Sequence, residues 1–126
     1  TDIHGFIHNL KAAYPQWDFA ASRALVLGAG GAARGVVAGL IEAGCPLITL
    51  TNRTRAKAEE IRAIFASAAR GKAEIRVVDW ESREAALATT EILVNTTILG
   101  MQGQEVLDLP LDLLSTEALV TDIVYK

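Results

Sequence analysis

Gly28, Gly30 and Ala33 have the spacing of a turn that brings backbone close to a pyrophosphate, and Arg53 stands where a bound dinucleotide would bring its adenosine ribose. In Gly28-Ala-Gly30-Gly31-Ala-Ala33 the first glycine allows the tight turn and Gly30 lets the backbone approach the phosphates. Small Ala33, in the third glycine's place, lets the following helix pack closely on the strand. A NAD-binding chain usually ends its second strand with an acid for the ribose 2′-hydroxyl, whereas this one has Asn52-Arg53-Thr54. A carboxylate there would repel a 2′-phosphate, and a guanidinium can hold it through two hydrogen bonds. The expected ligand is therefore NADP.

These residues need a strand, a turn, a helix and a second strand to place them, and the pattern supplies all four. The apolar run 23–27 reads as the first strand, and a helix follows over 31–43 with Gly44 as its stop. A second strand covers 46–51, and a helix with Thr54 as N-cap runs through Ile61, Ile64 and Phe65 to Gly71. Strands are expected at 74–78, 92–95 and 118–124, with a short helix at 82–88. Ile3, Phe6, Ile7 and Leu10 fall at helical spacing, so residues 1–14 read as a leading helix that ends before Pro15. Alternating strands and helices imply an α/β fold, a doubly wound parallel sheet of Rossmann type in the order 3-2-1-4-5. Six strands complete that fold, so the sequence reads as one NADP-binding domain, 1–126, cut before its last strand and closing helix.

The composition fits this. With 126 residues, 51% of them hydrophobic, and a net charge of -3, the chain has enough apolar material for one core and no basic run for nucleic acid. No apolar stretch reaches the roughly 20 residues of a membrane span and no signal peptide opens the chain, which makes the cytoplasm the expected compartment. Cys45 is the single cysteine, so no internal disulfide forms; it falls at the strand end opposite to the ligand edge, which argues against a catalytic thiol.

Taken in order, Thr1-Asp2 with Gly5-Phe6, the glycine-rich turn with Arg34, Asn52-Arg53-Thr54 with Lys57, Asn95-Thr-Thr97-Ile-Leu-Gly100-Met101, and Asp122-Ile-Val-Tyr125 resemble shikimate dehydrogenase over nearly the whole chain. That family reversibly reduces 3-dehydroshikimate to shikimate with NADPH in aromatic amino-acid biosynthesis. The resemblance implies that Asp2 binds the substrate hydroxyls and pairs catalytically with a lysine of an N-terminal substrate domain outside this chain. It implies that Gly28, Gly30, Gly31 and Ala33 form the diphosphate loop, and Asn52, Arg53, Thr54 and Lys57 the 2′-phosphate pocket. Thr97 and Met101 would border the nicotinamide, and Tyr125 would lie near the substrate carboxylate. Ile3, Gly35 and Ile98 depart from the family's commonest pattern, and none of the three changes removes a reactive group.

Several of these residues have plainer readings. Asp2 precedes an amphipathic helix, where an acid is ordinarily a cap or a dipole partner. Thr54 is an expected helix cap, a role compatible with anion binding. Asn95 ends a strand at the ligand edge, where its amide serves either loop backbone or cofactor. Arg34 turns toward the phosphates or into water. Trp17 and Trp80 read as packing residues, and Tyr125 as a core aromatic or a substrate contact. His4 and His8 are one helical turn apart without an evident third ligand, so no metal is expected. The rival functions are a quinate/shikimate dehydrogenase, a glutamyl-tRNA reductase-type NADP domain and a non-catalytic dinucleotide-binding module.

Overall fold

In the computed structural model, which describes residues 5–98 and 107–123, the chain forms a five-stranded sheet in the order β3-β2-β1-β4-β5. Its strands are β1 Arg23–Leu27, β2 Leu47–Thr51, β3 Glu74–Val77, β4 Ile92–Asn95 and β5 Leu119–Asp122. All four pairings are parallel, which is the doubly wound order expected from the strand and helix alternation. Helices α1 Phe6–Ala13, α2 Gly31–Ala43 and α3 Arg55–Ala69 are regular. The helix expected at 82–88 is one α-helical turn, α4 Arg83–Ala86, with tight turns at Trp80–Ser82 and Leu87–Thr89 on either side.

The central strand is buried on both faces, as a parallel sheet covered by helices demands. Ala24 and Val26 point with Ile48, Leu50, Ile92 and Val94 into the larger core beneath α2 and α3. Leu25 and Leu27 point the other way, to Leu87, Leu93 and the partly buried Trp80. Of the apolar residues that patterned α3, Ile61 is fully buried but Ile64 is exposed, because it lies on the helix face turned from the sheet.

Glycines shape the joints. Gly44 ends α2 in the left-handed region at φ 93°, with its N–H on the Ile41 carbonyl and that of Cys45 on the Leu40 carbonyl. This paired closure satisfies the last carbonyls of the helix and turns the chain into β2. On the outer side of α2, a side chain at Gly39 would run into Ile7 of α1, so the small residue lets the two helices meet.

Register puts the strand ends on one line. Leu27 pairs with Thr51 on one side and with Asn95 on the other. Their C-terminal edge is where open α/β sheets bind ligands, and β1 lies at the point where the strand order reverses. At the opposite edge, Glu91 takes hydrogen bonds from the Arg23 backbone N–H, Nε and Nη2 at 2.7, 3.0 and 2.7 Å. The Arg23 guanidinium holds the Glu91 carboxyl below its ordinary pKa.

Candidate cofactor-binding site

Gly28 leaves β1 at φ 107°, a backbone state that side chains rarely tolerate. Its N–H donates to the Thr51 carbonyl at 2.9 Å, tying the turn to the end of β2. From the other side, Thr96 donates its backbone N–H and its hydroxyl to the Leu27 carbonyl at 2.9 and 2.7 Å. A side chain on Gly28 would land on that hydroxyl. The turn is thus clamped between β2 and the residue after β4.

Gly30 and Gly31 differ from Gly28. Among the described residues, no atom beyond the glycine's own stretch of chain lies within 4 Å of the point where each Cβ would stand. Packing does not require glycine there, so what the two leave is a bare backbone rim at the start of α2. Ala33 is fully buried against the sheet, as close packing of α2 on β1 requires. Gly30 is the N-cap of α2; it has no side chain to cap with, and no acid stands in the helix's first turn. The first-turn N–H groups, which have no partner within the helix, and the positive end of the dipole therefore face the sheet's ligand edge.

The start of α3 repeats this arrangement. Thr54 occupies the N-cap position, but its side chain makes no capping hydrogen bond, and the first turn again lacks an acid. The expected cap is thus one of position only. Its carbonyl instead takes the Asn52 Nδ2 donor at 3.0 Å and the Lys57 N–H at 3.1 Å, so Asn52 shapes the turn from within. Arg53 and Lys57 are both exposed beside this N-terminus. The Arg53 guanidinium lies over the Trp80 ring, 6.0 Å from its centroid.

Arg55, which carries no motif, pins the neighbourhood together. It reaches Asp79 at 2.8 Å, Glu59 at 3.2 Å and the Val77 carbonyl at 3.1 Å. These bonds raise its pKa above the ordinary value, with Asp79 the largest cause and Glu59 next. The start of α3 is so tied to the end of β3. No local pattern announces this link, because Asp79 lies 24 residues along the chain.

At the far side of β1, Asn95 is buried and its Oδ1 accepts from the Thr97 N–H at 3.0 Å and the Thr97 hydroxyl at 2.6 Å. Its amide therefore holds the loop that follows β4 and sets Thr97 beside the Gly28 turn. Thr51 is fully buried at the same edge with a hydroxyl that has no partner among the described residues. Arg34 is exposed and lines a groove of about 720 Å³ between α1 and α2 with His8, Lys11 and Glu42. Asp2, His4, Met101 and Tyr125 lie outside the described residues. No cluster that could hold a metal occurs among the described ones, and no helix there is long and apolar enough to cross a membrane.

The residues fit a dinucleotide: a bare backbone rim at one helix N-terminus for the diphosphate, and for another phosphate a second N-terminus that has Arg53 and Lys57 beside it and no acid in its first turn. The family model for shikimate / quinate 5-dehydrogenase matches residues 11–105. The chain belongs to this family. It is 51% identical over 126 residues to the shikimate dehydrogenase (NADP(+)) of Dinoroseobacter shibae, covering 100% of this chain and 43% of that one. The chain thus spans under half the length of that relative. A shikimate 5-dehydrogenase from Listeria monocytogenes in complex with shikimate and NAD is 26% identical with a TM-score of 0.76, over 98% of this chain and 45% of that one. Quinate dehydrogenase from Corynebacterium glutamicum in complex with NAD has a TM-score of 0.86 over 99% of this chain and 43% of that one. At 23% identity its likeness is one of fold. The family membership sets aside a glutamyl-tRNA reductase-type reading.

Proposed function

We propose that this chain is the NADP-binding part of a dehydrogenase that interconverts shikimate and 3-dehydroshikimate. The observation that carries this reading is Arg53, exposed at the end of β2 beside the uncapped start of α3. A guanidinium there takes the 2′-phosphate that distinguishes NADP from NAD. The name of the Dinoroseobacter relative supports the same cofactor, and that of the Listeria protein, with NAD bound, sets the alternative to test against.

When bound, the cofactor supplies or accepts the hydride. The chain's own residues do the rest. Gly30 and Gly31 present backbone N–H groups to the diphosphate, Arg53 takes the 2′-phosphate with Lys57 adding charge, and Asn52 keeps the turn in shape. Thr97, held by Asn95, and Met101 border the nicotinamide. Asp2 receives or returns the proton of the substrate hydroxyl, in partnership with a lysine of a substrate domain outside these residues, and Tyr125 lies near the substrate carboxylate. The reaction belongs to aromatic amino-acid biosynthesis in the cytoplasm, and neither nucleic acid nor membrane takes part.

The test has two arms. Calorimetry of these 126 residues with NADP should show binding, and incubation with shikimate should show no turnover, since the lysine partner of Asp2 is outside them. In the protein with its substrate domain, Asp2→Asn should keep NADP affinity and lower turnover by roughly 10²-fold or more. Wild-type turnover in that variant would reduce Asp2 to a helix cap, because asparagine caps as well as aspartate. A preference for quinate over shikimate would favour the quinate/shikimate reading, and failure to bind either dinucleotide would favour a non-catalytic module.

A further inference from the structure

Trp80 sits in the tight turn after β3, half-buried against the Leu25, Leu27, Leu87 and Leu93 cluster. Two guanidiniums lie on its ring: Arg83 at 4.5 Å from the centroid and Arg53 at 6.0 Å. Arg83 also donates Nη1 to the Trp80 carbonyl at 2.7 Å and Nε to the Asp108 carbonyl at 3.0 Å. The residue before the ring, Asp79, is tied to α3 through Arg55. The ring therefore belongs to a rigid turn fastened on two sides, and one of those fasteners is the helix that follows Arg53.

We propose that Trp80 is a positioning residue for Arg53, and through it raises the preference for a 2′-phosphorylated dinucleotide over one without that phosphate. This rests on the reading of Arg53 given above and adds what orients it. A solvent-exposed arginine has many rotamers, and fixing them on binding opposes affinity. An aromatic face attracts the guanidinium before any ligand arrives, so less freedom remains to be lost when the phosphate binds. Trp80 needs no contact with the ligand for this.

Removing the ring should weaken NADP binding by about 2- to 5-fold, the scale of an exposed cation–π contact. NAD binding should stay unchanged. Calorimetric Kd values for NADP and NAD in Trp80→Leu and Trp80→Met, two apolar residues without a ring, test this beside Trp80→Phe, which should retain most of the ratio. In the Arg53→Ala background, Trp80→Leu should change the ratio no further. A selective loss that vanishes without Arg53 supports the proposal, even if only one ringless variant folds. Equal losses for NADP and NAD, or an unchanged ratio, would overturn it and leave Trp80 a packing residue. If Arg53→Ala itself leaves the ratio unchanged, the Arg53 reading fails first; if it shifts the ratio and the tryptophan variants do not, only this inference fails.

Discussion

The Thr96 hydroxyl occupies the space that a side chain on Gly28 would need, and it holds that place by donating to the Leu27 carbonyl at 2.7 Å. The tight turn at the cofactor edge is therefore defined by a residue 69 positions from the carbonyl it bonds. Gly28 is required twice over, by its φ of 107° and by its neighbour.

Gly28→Ala should cost about 1–3 kcal/mol from backbone strain alone, with the overlap on Thr96 in addition. In Gly28→Ala/Thr96→Ala the overlap with the hydroxyl disappears, while the strain and the 3.3 Å approaches to the Thr96 carbonyl carbon and Thr97 Cγ2 stay. The double variant should thus be more stable than the sum of the single losses predicts, as denaturant unfolding of all four proteins would read out. Strict additivity would mean that the turn relaxes away from Thr96.

A contest of two magnitudes decides Gly39. Alanine in a helix interior gains about 1 kcal/mol over glycine, while overpacking costs about 1–3 kcal/mol. The added methyl would stand 2.6 Å from Ile7 Cγ1 and 3.3 Å from Ile7 Cβ, so the overlap should win or break even. Gly39→Ala should then loosen α1, read as faster amide exchange over residues 6–13, and Ile7→Ala in the same background should restore α2 to at least its starting stability.

Burial pushes the Cys45 thiol up to about 11, with Lys11 opposing weakly. The folded value lies above the ordinary 9.0, so the folded state keeps its proton longer than the unfolded one. The resulting stability is complete below about pH 9 and is lost as pH rises toward about 11, at up to about 1.4 kcal/mol per pH unit. Unfolding of the wild type between those pH values should show a slope that Cys45→Ala lacks. A thiol reagent should reach Cys45 only as fast as the protein opens; rapid labelling of the folded chain would contradict its burial.

How far the sequence could be read follows from the range of each signal. The sheet order, α2 with its Gly44 closure and the presence of a glycine turn at Gly28 were legible, because each shows in neighbours within a few positions or in alternation along the chain, whereas Thr51 and Thr96, which clamp that turn, come from distant strands. Thr54 was legible as a helix start but not as an uncapped one: its side chain makes no capping bond, and the contact that shapes the turn instead runs from the Asn52 amide to the Thr54 carbonyl. Arg55 carried no pattern, since its partners Val77 and Asp79 arrive only when β3 pairs with β2. Trp80 read as packing, which it is; that its ring also meets Arg53 is a property of the folded sheet edge alone.

The central claim is that Arg53 holds the phosphate by which NADP differs from NAD, and titration of Arg53→Ala with both cofactors tests it most directly. A hydrogen bond between charged groups contributes about 1.5–3 kcal/mol, so losing two should weaken NADP binding roughly 10²- to 10⁴-fold. NAD affinity should change little. Equal losses for the two cofactors would contradict the account, because Arg53 would then be holding the fold or the shared adenosine instead of the 2′-phosphate.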